Sequence, residues 1–92
     1  MLTYQQKKDI LTVQLFQSQR LTSSEKLVAL CMAYMIDDRG QVDMRMPKLA
    51  YMSRLHVRTV IRVLKSLADK ISLETNVEGR GNVYYFVQWR HL

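Results

Sequence analysis

The stretch Pro47-Lys48-Leu49-Ala50-Tyr51-Met52-Ser53-Arg54-Leu55-His56-Val57-Arg58-Thr59-Val60-Ile61-Arg62-Val63-Leu64-Lys65-Ser66-Leu67-Ala68-Asp69-Lys70 decides how this chain of 92 residues folds. Pro47 suits the first turn of a helix, where its missing N–H costs nothing. Leu49, Ala50 and Met52 continue that helix to residue 53. A turn is expected over 53–56, and a longer helix over 57–70. At about 100° per residue, Val60, Val63, Leu64 and Leu67 share one arc, the core face. Arg58, Arg62 and Lys65 lie nearly opposite, within about 60° of one another. Val57 and Ile61 sit on the flank between the two faces.

Working outward, the residues after this helix read as a hairpin. Residues 71–77 and 82–88 are β-prone, and Glu78-Gly79-Arg80-Gly81 between them is a turn signal. Alternation in the second run puts Val83, Tyr85, Val87 and Trp89 on one face and Tyr84, Phe86 and Gln88 on the other. Both faces carry aromatics, so one needs cover from the N-terminal helix or from a second copy of the chain. Before the deciding stretch, Gln41 to Arg45 alternates as a short strand should, with Val42 and Met44 apolar.

Thr22-Ser23-Ser24-Glu25 is a capping box that opens a helix over 22–37. Leu27, Leu30, Cys31 and Tyr34 or Met35 are its expected core face. Asp37-Asp38-Arg39-Gly40 ends it, with Gly40 able to adopt positive φ. Residues 4–18 predict a first helix through Ile10, Leu11 and Leu15, although Thr12, Val13 and Phe16 also suit a strand. The expected fold class is mainly α with a small antiparallel β-sheet: helices 4–18, 22–37, 47–53 and 57–70, strands 41–45, 71–77 and 82–88.

Composition narrows the function. Ninety-two residues build one core and one domain, and a hydrophobic fraction of 48% argues against disorder. No apolar run is long enough to span a bilayer, and the N-terminus lacks a signal-peptide layout. Bacterial cytoplasm, or host cytoplasm for a phage-encoded chain, is the expected location. Cys31, the one cysteine, cannot close an internal disulfide and reads as a small buried hydrophobe. No phosphate-cradling glycine loop, metal-ligand spacing or nucleophile-histidine arrangement is present, so neither catalysis nor a cofactor is expected.

The net charge of +6 favours a polyanion as partner. Its distribution says more. Residues 54–70 hold five basic residues (Arg54, Arg58, Arg62, Lys65, Lys70) against one acid, Asp69, while the other seventy-five residues carry nine basic and seven acidic groups. A helix with one buried side and cations on the other fits the DNA major groove, where arginine pairs with guanine and phosphates take the remaining cations. A short helix and tight turn precede it, as helix-turn-helix geometry requires.

Leu21-Thr22-Ser23-Ser24-Glu25-Lys26-Leu27-Val28, Asp38-Arg39-Gly40, Leu49-Ala50, and Arg58-Thr59-Val60 with Arg62, Leu64 and Leu67 carry a family resemblance. Over roughly residues 20–88 the chain resembles the winged helix-turn-helix domain of phage and plasmid replication proteins and small regulators. The resemblance implies that helix 57–70 is the recognition helix and 71–88 the wing. It implies that Arg58, Thr59 and Arg62 face DNA and that Arg80 serves the wing. Two positions depart from the pattern: Arg54 stands where the turn often has glycine, and His56 where a serine or threonine cap is usual.

The full candidate set for double-stranded DNA is Lys48, Arg54, His56, Val57, Arg58, Thr59, Ile61, Arg62, Lys65 and Arg80. The expected role is that of a transcriptional regulator or a replication or partition factor. The expected partners are DNA, a second copy of the chain through residues 1–19, and another replication or partition protein. The rival reading is a winged-helix assembly module that binds protein without reading DNA, since fold does not settle function.

Overall fold

The computed structural model describes residues 1–43, 45–78 and 81–92. The first helix, α1 (Tyr4–Gln17), starts at a capping box absent from the sequence expectations. The Thr3 hydroxyl accepts from the Gln6 amide at 3.1 Å, and the Thr3 amide donates to Gln6 Oε1 at 2.9 Å. Leu11 and Leu15, one turn apart, enter the core, while Val13 and Phe16 stay exposed. That stripe decides for helix over strand.

Helix α2 (Ser23–Tyr34) opens at Thr22 with the expected capping box. It ends three residues before the predicted boundary of 37, because Asp37 organises a turn instead. Its Oδ1 accepts from the amides of Arg39 at 2.9 Å and Gln41 at 2.8 Å. Gly40 closes the turn at φ +83, and a Cβ there would sit 2.7 Å from the Trp89 ring. The expected core face of α2 needs correction. Val28, Ala29, Met32, Ala33 and Ile36 are buried, whereas Leu27 and Tyr34 are exposed and Leu30, Cys31 and Met35 are only partly buried. The helix is apolar on both sides, and contact with α1 and the later helices selects the side with the smaller residues.

Strand β1 (Gln41–Asp43) does not extend to Arg45 as predicted, because Arg45 stands at the N-cap position of the next helix, without a side-chain hydrogen bond to it. Met44 lies outside the described residues. Helix α3 (Met46–Ser53) carries Pro47 in its first turn, as expected. Arg54 then adopts the left-handed conformation, φ 60 and ψ 27, and reverses the chain into helix α4 (Val57–Ile71). Ser72, also left-handed at φ 53, stops α4. The hairpin therefore starts at Leu73 rather than residue 71.

Strands β2 (Leu73–Glu78) and β3 (Gly81–Phe86) pair antiparallel, with Leu73 opposite Phe86. Strand β1 pairs antiparallel on the other side of β3, with Gln41 opposite Tyr85, giving the order β1-β3-β2. The run predicted as strand to residue 88 stops at Phe86. A 3-10 segment, Val87–His91, follows, and it swings Trp89 into the interior, 3% exposed. Trp89 donates through Nε1 to the Asp38 carbonyl at 3.2 Å, its ring lies 5.9 Å from that of Tyr4, and Lys7 Nζ stands 5.7 Å from it. Trp89 thereby leaves the strand face on which alternation had placed it and is flanked by Tyr4 and Lys7 of α1, while Val83 and Tyr85 of that face are half-buried. The Tyr4 hydroxyl also donates to the Ile36 carbonyl.

The molecule is mainly α with a small antiparallel sheet, as expected. One cluster joins every helix to the sheet and includes Leu11, Val28, Met32, Val42, Leu49, Val60, Leu67 and Phe86. Among the described residues no helix is long and apolar enough to cross a membrane.

Candidate functional site

Helix α4 has the two faces its periodicity predicts. Val60, Val63, Leu64, Leu67 and Ile71 are buried, which holds the helix rigidly against α2 and α3. Arg58, Arg62 and Lys65 are exposed on the other side with Ile61, whose exposure is 43%. These four positions are related by steps of three and four residues, so their side chains are neighbours on the helix surface. Among the described residues, none of the three cations makes an ion pair or a side-chain hydrogen bond. Asp69, exposed and one turn beyond Lys65, is the acid on this arc. It lies in the last turn, away from the end where Arg58 stands.

The remaining predicted site residues fall into three groups. Val57 and Thr59 are half-buried on the flanks of α4, and Val57 packs against the core. Lys48 is exposed on α3, and Arg54 is exposed in the turn between α3 and α4. His56 is the N-cap of α4, its Nδ1 accepting from the Arg58 amide at 3.2 Å. The imidazole thus provides the side-chain cap that a serine or threonine more often supplies at such a position. It also sets the direction of the first turn, from which Arg58 projects. Arg80 lies outside the described residues.

Two features of this region were not anticipated. The first is Tyr51 on α3, 71% exposed, with the Arg54 guanidinium 5.2 Å from its ring centroid. This cation–π contact holds the Arg54 side chain against α3. The spacing of Tyr51 and Arg54, three apart at a helix end, was the available signal. The second is Glu25, which does more than cap α2.

Glu25 is 3% exposed and lies against α4. One carboxylate oxygen accepts from Lys70 Nζ at 2.7 Å and from the Thr22 amide at 2.8 Å; the other accepts from the Ser66 hydroxyl at 2.6 Å. The Lys70 ammonium, the Ser66 hydroxyl and the Thr22 amide hold this carboxyl well below its usual range, at about 2. One of the five cations of segment 54–70 is therefore spent inside the fold. A recess of about 320 Å³ remains beside this network, lined by Ser24, Glu25, Arg62 and Val63 among others. Arg62 thus borders both the recess and the outward face of α4.

Cys31 is half-buried, and desolvation pushes its thiol above the ordinary value. It sits in the protein as a small apolar group.

Comparison with protein-family models, with curated proteins and with solved structures finds no significant match to this chain.

Proposed function

We propose that this protein binds double-stranded DNA as a winged helix-turn-helix module, with α4 in the major groove. The observation that carries the reading is the division of α4. One arc is locked in the core, and the other presents Arg58, Arg62 and Lys65 with no acidic partner among the described residues. Arginines on a fixed helix can reach base edges, while Lys65 and the cations of the turn meet phosphate. The left-handed Arg54 supports a helix-turn-helix, since it folds α3 back across α4. The element order and the β1-β3-β2 sheet support the winged form, with β2 and β3 as the wing. Within that reading the role is transcriptional regulation, or replication or partition of a phage or plasmid genome.

Duplex binding measured across a salt series tests this. Affinity is expected to fall steeply as salt rises, because phosphate contacts release counterions. The double variant Arg58→Ala, Arg62→Ala should bind at least about thirtyfold more weakly, if each guanidinium is worth about 1–3 kcal/mol. Unchanged affinity in a folded double variant would sink the reading. It would favour the assembly module instead, for which exposed Ile61 and Tyr51 offer an apolar contact surface.

A further inference from the structure

We infer that the outer face of α2, with the neighbouring side of α1, is a two-fold interface between two copies of this chain. Helix α2 buries Val28, Ala29, Met32 and Ala33 on one side. Leu27, Leu30 and Tyr34 lie about 180° round the helix from that side, with Tyr34 68% exposed. A helix apolar all round is ordinarily buried all round. Beside this stripe, α1 and α2 enclose an open groove of about 510 Å³ lined by Lys8, Asp9, Thr12, Leu30 and Tyr34. Phe16, 66% exposed, lies further along α1, under Lys26 Nζ at 5.7 Å.

Charge selects the occupant. The groove carries both signs: Lys8 Nζ stands 5.1 Å from the Tyr34 ring centroid, and Asp9 is held in place by Gln5 Nε2 at 2.9 Å. A two-fold interface meets itself, so it must be complementary to its own image. Mixed charges around aromatic rings satisfy that condition, since each lysine can face the partner's acid or ring. A polyanion would meet Asp9 and an apolar stripe.

Geometry agrees, and this part rests on the DNA reading. Ser66 and Lys70, which tie α4 to α2 through Glu25, lie about 90° round α4 from the centre of the basic arc. The line from α4 through α2 to the outer stripe therefore runs sideways to the basic face. Two copies joined at that stripe can show both basic faces to one side. With about 8–10 Å between packed helices, the α4 axes stand roughly 24–30 Å apart. That approaches the spacing of half-sites one DNA turn apart, about 34 Å.

Sedimentation equilibrium of the full chain, from low to high micromolar concentration, is the test. The wild type should be dimeric, and Leu30→Glu should weaken association by about tenfold or more, as expected for a charge at the centre of an interface. Should Leu30→Glu lose its helical circular dichroism, Tyr34→Ser, at a more exposed position, should give the same shift with the fold intact. A wild type that stays monomeric overturns the inference, as does a folded Tyr34→Ser that dimerises like the wild type. Duplex binding separates the two readings. A dimer that ignores DNA leaves the interface standing and removes the DNA reading, whereas a monomer that binds one half-site does the reverse.

Discussion

Arg54 sits at a position where two demands conflict. Its backbone is left-handed, at φ 60 and ψ 27, a region that costs a side-chain-bearing residue roughly 1 kcal/mol and costs glycine nothing. Its side chain is a cation at the mouth of the proposed DNA site, stacked on Tyr51. Arg54→Gly should therefore raise stability by up to about 1 kcal/mol while lowering duplex affinity. Urea unfolding and a binding titration on the same variant check both signs. A variant that loses stability would mean that the Tyr51 contact outweighs the backbone strain. The resemblance revealed the departure from glycine at this position, and from a serine or threonine cap at His56, because each is a local break in the family's turn pattern. It did not reveal that His56 Nδ1 would serve as the cap, since that depends on the rotamer the turn imposes.

Glu25 shows how two elements can share one residue. As the third residue of α2 it completes the capping box, and that role was legible because Thr22 and Glu25 are three apart. Its contacts with Ser66 and Lys70 span 41 and 45 residues and left no local trace. The carboxyl is held at about 2, below the unfolded value near 4.5. Its folded pKa is lowered, so its stabilisation is complete above the unfolded pKa and is lost as pH falls from about 4.5 towards 2. The amount is on the order of 3 kcal/mol. Unfolding midpoints measured between pH 6 and pH 2 should fall for the wild type across that window. Glu25→Gln should be less stable at neutral pH and show a flatter acid limb. Equal acid sensitivity in the two proteins would assign the loss to other carboxylates.

For the whole molecule, the closing contact is that of Trp89 with Gly40 and α1. The 3-10 segment after β3 carries the indole beneath the turn at Asp37–Gly40, where its Nε1 meets the Asp38 carbonyl, and α1 covers it with Tyr4 and Lys7. Helix α1 and the 3-10 segment thus close on one side chain. Gly40→Ala places a methyl 2.7 Å from that ring in a backbone conformation at φ +83. It should cost about 2–4 kcal/mol, from strain and overpacking together. Trp89 is the single tryptophan, so its fluorescence reports the contact directly. A red-shifted emission with a lowered unfolding midpoint is expected. An unchanged spectrum would mean that the turn shifts instead of the indole.

What the residues determined by themselves was local. The helical periodicity of α4, the cap at Thr22, Pro47 in the first turn of α3 and the positive φ of Gly40 all follow from neighbours within a few positions, where backbone sterics and short hydrogen bonds act. The outward arc of Arg58, Arg62 and Lys65 was readable for the same reason, because the opposite arc is uniformly apolar. Only the tertiary structure decided which side of α2 goes inside, what neutralises Glu25 and Lys70, and where β3 ends so that Trp89 can turn inward. In each of these the chain offers two local solutions of similar quality. The choice falls to packing against segments distant in sequence, whose arrival no local pattern encodes.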